Sequence, residues 1–438
     1  MAPAQRHMPS FADLAPRESA VGDRLPYARH VDDVTLETRD GMLVQIIKLG
    51  GLSFETADTD ELNYRKTIRD TMLRSIAHPR FALLHHVIRS PVQPNLQAEF
   101  PDPFSAALDA KWSDRLGTRA LFLNDLYLTI VRRPASAGGG FLDKALDLFR
   151  ARPSQIDAAE RVRDLRELDG ARDALLASLA PYGARVLSVY DTKRGPCSEP
   201  LEFLSHLLNS ELRPVLLPEA DLGQHIPTRR ISFGLDALEL HAAPGSPARL
   251  GAILSIKDYP PQTTPGMLDD LLRLPVELTV TESFAFVDRQ VALDRMNLAL
   301  RRMRAADDDA VSLRRDLSTA KDDLAAGRSA FGEHHLTILI KADTRAALDQ
   351  AAADVQAAFT DEGIIAVRED VNLEPAFWAQ FPGNFKDIAR RALVSTGNFA
   401  GMAAFHNFPV GRDQGNHWGQ AVSVLETTSA TPYYFNFH

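Results

Sequence analysis

The chain has 438 residues, with 49 Lys plus Arg against 58 Asp plus Glu for a formal charge of −9, 45% hydrophobic and 24% charged. These values exclude wholesale disorder and collagen-like repeats and allow a core large enough for about two or three domains. One cysteine, Cys197, excludes an internal disulfide framework and suits a reducing cytosol, while net acidity argues against a general nucleic-acid coat.

Residues 1–33 are Pro- and Arg-rich and read as a flexible arm. They lack the apolar core of a secretory signal, and nowhere does the chain reach the roughly 18 to 20 uncharged apolar residues of a membrane span. Val34, Leu36 and Thr38 alternate up to Asp40-Gly41, and Met42, Val44 and Ile46 alternate after it, which is a hairpin signature because both turn positions favour positive φ. A helix follows over about 60–77, with Tyr64, Ile68, Met72, Leu73 and Ile76 expected inward, and Pro79 blocks its continuation. Residues 81–88 read as a strand, 105–116 as a short helix and 121–131 as a strand ended by Pro134. Gly138-Gly139-Gly140 is a flexible break. A helix over 155–179 carries Leu165, Leu168, Leu175 and Leu179 on one stripe, and a strand runs over 186–190.

The same element order recurs further on. Ile231, Phe233 and Leu235 start a strand, and Leu250, Ala252, Leu254 and Ile256 alternate after a Pro-Gly turn. Thr264-Pro265 opens a short helix ending near Leu274-Pro275, and residues 276–286 alternate as a strand. A helical stripe then spans 289–326, at ~1.5 Å per residue about 55 Å if unbroken. It either projects as an antiparallel arm or oligomer contact, or breaks at Asp307-Asp308-Asp309, and the break is favoured. Strand 335–341, a helix with Leu348, Ala352, Val355 and Phe359 inward, and strand 364–367 complete a βαβ unit. The expectation is an α+β fold of two ferredoxin-like (split βαβ) halves, 34–215 and 216–370, with the long helix inserted in the second. Residues 371–414 read as a loop-rich connector.

Catalytic motifs are missing. No Gly-x-x-x-x-Gly-Lys-Ser/Thr phosphate loop occurs, since Lys144 after the glycine run lacks the following hydroxyl, and no Gly-x-Ser-x-Gly elbow occurs. Cys197 has no nearby base in sequence and reads as structural. The pairs His85-His86 and His334-His335 place adjacent side chains on opposite strand faces. Neither pair chelates a metal by itself, so no metal site is assigned, and one histidine of each pair is expected buried and one exposed. Basic pairs such as Arg301-Arg302 and Arg314-Arg315 read as solvated faces. The tail concentrates Trp378, Phe381, Asn384, Phe405, His406, Asn416, His417 and Trp418. These form either a ligand or base-stacking surface or a crossing stapled by aromatics, and the second is favoured.

Several strings resemble one family. They are Leu123-Asn124-Asp125-Leu126-Tyr127, Lys257-Asp258-Tyr259-Pro260, Glu282-Ser283-Phe284-Ala285-Phe286, Gly332-Glu333-His334-His335, Phe377-Trp378-Ala379-Gln380-Phe381-Pro382-Gly383-Asn384 and the tail from Gly415. In this order they resemble the N-terminal half of the type IV secretion and conjugal-transfer ATPases of the CagE/TrbE/VirB family. The resemblance implies a docking domain, cytoplasmic and peripheral at the bacterial inner membrane. Its partners would be inner-membrane subunits and other ATPases of the secretion system, with homo-oligomerisation of the full motor. It implies ATP and Mg²⁺ for a full-length parent, and 415–438 as the first strands of an absent RecA-like domain. The family's Walker motifs match no position here, so this chain is expected to carry no cofactor, no catalytic residue and no enzyme activity of its own. The eight tail residues become interface or connector candidates, and a chain trimmed to about Gly411 is expected to aggregate less. Direct DNA binding stays open, as does the alternative of a stand-alone nucleotide- or single-stranded-DNA-binding protein.

Overall fold

The computed structural model describes residues 20–94, 96, 102–134, 158–245, 247–305 and 311–437. Most of the arm, the break at 138–140, the start of the helix at 155 and the acidic run 307–309 lie outside the described residues.

Gly41 takes φ +81°, and the Asp-Gly turn joins β2 (Thr35–Thr38) to β3 (Leu43–Leu49), with β1 (Tyr27–His30) on the outer side of β2. Next come α1 (Thr59–Ser75), β4 (Phe81–Val92), α2 (Pro103–Gly117), β5 (Leu121–Arg132), α3 (Ala158–Ser178) and β6 (Arg185–Val186). Asp102 caps α2 by accepting from the Ser105 N–H at 2.9 Å. A small ribbon, β7 (Val189–Thr192) with β8 (Gly195–Ser198), leads into α4 (Glu199–Asn209) and the short α5 (Leu222–His225).

The second half contains β9 (Ile231–Phe233), β10 (Leu238–Leu240), β11 (Arg249–Asp258), β12 (Glu277–Phe286), α6 (Arg289–Ala305), α7 (Val311–Ala325), β13 (Phe331–Ala342), α8 (Arg345–Asp361) and β14 (Ile365–Arg368). The chain closes with α9 (Leu373–Trp378), β15 (Ala392–Ser395), α10 (Thr396–Met402), β16 (Ser423–Glu426) and β17 (Pro432–Phe435).

Thirteen strands form one sheet, ordered β1-β2-β3-β5-β4-β12-β13-β11-β10-β9, with β6 on β3, β14 on β11 and β15 on β13. Its pairings are antiparallel. Within each half the four principal strands lie in the spatial order fourth, first, third, second: β6-β3-β5-β4, and β14-β11-β13-β12. The halves meet where β4 pairs β12, from Arg89 opposite Leu278 to Ala82 opposite Ala285.

Both faces of this sheet are covered, and the period-2 alternation of a strand sorts neighbours into different cores. Leu83, Leu128 and Ile338 pack with Met72 and Leu73 of α1, Leu168 and Leu175 of α3, and Val355 and Phe359 of α8. Leu84, Tyr127 and Leu339 pack with Phe203 and Leu204 of α4 and with Phe377, Trp378 and Phe381.

Several expectations change, but the break favoured in the stripe over 289–326 holds, since it is two helices and not one. α6 and α7 fold back as a hairpin in which Arg289 donates to the Ala325 carbonyl and Ala292, Met296, Leu324 and Phe331 share a small core. Tyr64 and Ile68 of α1 are exposed; the inward side is Arg69, Met72 and Leu73, and Arg69 donates to the Ala400 carbonyl and the Tyr182 hydroxyl. The helix expected over 264–274 is a single turn, Asp269–Arg273. Residues 371–414 belong to the body: β15 joins the main sheet, Phe377 and Phe381 lie in one core, and Phe399 and Phe405 in the other.

The last hairpin, β16–β17, forms its own two-stranded sheet and is docked. Trp112 Nε1 donates to the Val424 carbonyl at 2.8 Å, the Phe122 N–H to the Ala430 carbonyl at 2.8 Å, and Leu116, Leu121 and Val424 pack together. Trimming at Gly411 therefore strips cover from Leu121.

Candidate functional site

The eight tail residues separate into three places. Trp378, Phe381 and Asn384 are buried. The Asn384 amide donates to the Arg24 carbonyl at 3.0 Å and the Trp378 carbonyl at 3.2 Å, tying the turn after α9 to the N-terminal segment. Phe405 and His406 are also buried, in a strap that crosses both halves. The strap's backbone bonds Leu52 on either side of His406, and the Asn407 amide donates to the Gly50 and Asn124 carbonyls. Phe405 is a non-glycine at φ +56°, a strained conformation for a bulky side chain. These five residues are staples inside the body, so they cannot meet a partner at its surface.

Asn416, His417 and Trp418 lie near the terminal hairpin. His417 and Trp418 stack edge to face at 4.8 Å, and Trp418 is 69% exposed. With Arg412, Tyr433, Tyr434 and Asn436, Asn416 and His417 line a recess of about 320 Å³. Val422 and Phe437 are exposed beside it. Of the eight, these three keep the character of a surface site.

The polar centre of the molecule is one that sequence reasoning passed over. His85 on β4, Glu282 on β12 and His334 on β13 point to the same face of three adjacent strands. His85 Nδ1 lies 3.3 Å from Glu282 Oε1, and His334 Nε2 3.6 Å from Glu282 Oε2. The Tyr259 hydroxyl is hydrogen-bonded to His334 Nδ1 at 2.8 Å. Burial pushes the Glu282 carboxyl up, but hydrogen bonds and charge from His334 and His85 outweigh it and hold the group below the ordinary glutamate value. Next to this cluster His406 Nδ1 donates to Asp269 at 2.7 Å while the His406 ring stacks on Phe54 at 4.8 Å. Burial raises Asp269 against that opposing hydrogen bond. His85, Glu282, Asp269, Phe405 and His406 share a cavity of about 20 Å³, room for about one water.

On the opposite face His86 donates from Nε2 to the Gln380 carbonyl at 2.8 Å, and His335 from Nδ1 to the Arg390 carbonyl at 2.7 Å. Burial lowers His86 to about 3 and His335 to about 4, so both stand neutral. All four histidines of the two pairs are thus buried, not one of each, because the sheet has no solvent face. Among the described residues no group of three or more His, Cys, Asp or Glu is placed to hold a metal ion. Among them, too, no helix is long and apolar enough to cross a membrane. The seam cluster holds a buried carboxylate between the halves, with the Tyr259 hydroxyl closing it on the His334 side.

Comparison with known proteins gives two family matches. The model described as "CagE, TrbE, VirB family, component of type IV transporter system" matches residues 185–390. The model described as "Type IV secretion system ATPase VirB4/TrbE, N-terminal domain" matches residues 34–139. The type IV secretion system protein virB4 of Bartonella henselae is 35% identical over 424 residues, 96% of this chain and 53% of that protein. VirB4 of Brucella suis is 31% identical over 438 residues, 98% of this chain and 52% of its own length. PtlC of Bordetella pertussis is 33% identical over 441 residues, again 98% and 52%. The chain spans about half the length of the curated relatives it matches.

Proposed function

Because the chain belongs to the CagE, TrbE, VirB family of type IV transporter components, we propose that it is the N-terminal docking and assembly body of a secretion ATPase that powers transport of DNA or protein across the bacterial envelope. One observation carries the reading: relatives named as type IV secretion proteins align with nearly all of this chain while it covers about half of them. The body sits at the cytoplasmic face of the inner membrane and receives membrane subunits of the system, and ATP with Mg²⁺ serves the other half of such a protein. The strand order fourth, first, third, second supports reading each half as a ferredoxin-like split βαβ unit. In the same reading the docked β16–β17 hairpin, with Trp418 and Phe437 exposed, opens the RecA-like motor domain.

Isothermal titration of the 438-residue chain with ATP and Mg²⁺ tests this. The expected outcome is no low-micromolar binding and no hydrolysis, together with co-purification with inner-membrane subunits of a type IV system. Tight nucleotide binding that is lost on His417→Ala or Trp418→Ala would overturn the docking reading in favour of a stand-alone nucleotide-binding protein. Single-stranded DNA binding that falls steeply with salt would overturn it in favour of a DNA-binding one.

A further inference from the structure

Period-two alternation sends Ser90 of β4, Asp125 of β5, Arg249 of β11, Glu277 of β12 and Lys341 of β13 to the α4 side of the main sheet, the side of Leu84, Tyr127, Ile253 and Leu339. The apolar members pack in the core with α4. The polar ones gather at one end of the strands, where a cleft of about 470 Å³ opens beside the C-terminal end of α4. That volume falls within the range of small-molecule sites.

The acceptors in this cleft are spent. Glu277 meets Lys341 Nζ at 3.0 Å and has Arg249 at 3.9 Å. Glu211 takes both Arg229 and Arg213, and Asp125 takes Lys48 at 2.8 Å. Ser210 ends α4 at φ +60°, where glycine is the usual residue, and its hydroxyl accepts from Lys341 at 3.1 Å.

The donors are not. Arg229 has a side chain only 3% exposed. It gives Nη1 to the Pro247 carbonyl at 2.9 Å and Nη2 to Glu211, while its buried Nε has no partner among the described residues. His206 is buried beside it in the same cleft wall, with Nε2 3.3 Å from Ser90 Oγ and Nδ1 unpartnered. If Ser90 donates to Nε2, the ring proton sits on Nδ1, as a second donor without an acceptor. Buried donors of this kind cost free energy until an acceptor reaches them. Around them Pro91, Val92, Leu123 and Leu212 make the wall apolar, and Leu212, 51% exposed, stands at the rim.

We propose that this cleft binds an organic carboxylate with an aliphatic body, the carboxylate received by Arg229 Nε and Arg249 and the body lying along Leu123 and Leu212. A carboxylate brings only acceptors, which is what the buried donors lack. A ligand ammonium would have to displace a cation already seated on Glu211, Glu277 or Asp125, leaving that cation poorly paired. Arg249 bonds Asp343 but reaches Glu277 only at 3.9 Å, so it has capacity for a single negative charge and not for a phosphate dianion. The inference needs only this chain and stands apart from the transport reading.

Ligand-observed NMR titration of the 438-residue chain tests it with hexanoate, hexanamide and hexylamine, which share one body and differ in the head group. Hexanoate is expected to bind at one site per chain, and the amide and the amine to bind at least about tenfold more weakly. Arg249→Gln and Leu212→Asp should each weaken hexanoate by about tenfold, whereas Leu212→Asn should not. Both side chains reach solvent, so these variants keep the parent's far-ultraviolet circular dichroism, and neither disturbs the buried Arg229. N-acetyl-leucyl-leucine separates two sources of the same chemistry. Binding tighter than hexanoate assigns the C-terminal end of a peptide and weaker binding assigns a free acid, and either supports the site when both variants weaken it. No binding of hexanoate, equal binding of the three head groups, preference for the amine, or binding indifferent to Arg249→Gln and Leu212→Asp would overturn the proposal.

Discussion

The Glu282 carboxylate meets the His85 imidazole at 3.3 Å across the junction of β4 and β12, with both side chains sealed from solvent. Removing one member of a buried charged group leaves its partners desolvated without compensation. Glu282→Ala is therefore expected to cost about 3–5 kcal/mol, read from the midpoint of urea unfolding monitored by circular dichroism. A loss below about 1 kcal/mol, the level of an exposed pair, would mean that the cluster does not hold the seam.

Acid should loosen the same region. Burial lowers His86 to about 3, and His335 and His206 to about 4. The unfolded chain binds protons at these histidines below about 6.5, whereas the folded chain does not until about 4. Their contribution to stability is complete above about pH 6.5 and is lost progressively as pH falls toward about 4. Glu282 and Glu277, held below the ordinary glutamate value, add losses at the acid end of that window. Thermal midpoints should stay level from neutral pH upward and fall between about 6.5 and 4. His86→Leu should flatten the slope, and an unchanged slope would show that His86 does not drive it.

Gly51 sits under the strap at φ +82°, and a Cβ there would lie 2.4 Å from Asn407 Cβ. Strain and steric clash act together, so Gly51→Ala should destabilise by about 2–3 kcal/mol. Amide exchange should rise over 403–410 first, since that is the segment pushed off. Uniform acceleration across the sheet would instead locate the damage in the core.

Ending the chain at Gly411 removes the Ser429 carbonyl that accepts from Arg89 at 3.1 Å and uncovers Leu121. Arg89 is already lowered to about 10 by burial and has no carboxylate partner among the described residues. The shortened chain should melt lower than the 438-residue chain and aggregate more. Equal melting by differential scanning calorimetry would show that the hairpin contributes nothing to the body.

Local signals in the sequence carried well into the structure. Asp40-Gly41 is a turn between paired strands, and the inward residues of α8, Leu348, Ala352, Val355 and Phe359, are those the spacing indicates. Its cap is Thr344, whose hydroxyl accepts from the Ala347 N–H. What stayed hidden depends on partners distant in sequence. Periodicity places His85 on one strand face but cannot tell that Glu282, 197 positions away, will stand opposite it. Nor can it tell that both sheet faces will be covered, which is why the exposed histidine of each pair was misjudged. Tyr64 and Ile68 occupy valid helical positions, yet α1 turns Arg69 inward because Tyr182 and Ala400 offer it acceptors. The tail's aromatics were legible as unusual, while their division into buried staples and an exposed cluster follows from where the chain runs after β15.

The ladder between β4 and β12 makes the two halves a single plate. A pull or twist delivered at the terminal hairpin passes through β5 and β4, then across eight successive residue pairs into β12 and on to β13. That route is hydrogen-bonded ladder throughout, so a machine built on this body would transmit strain from one edge to the other and would have to do its bending elsewhere.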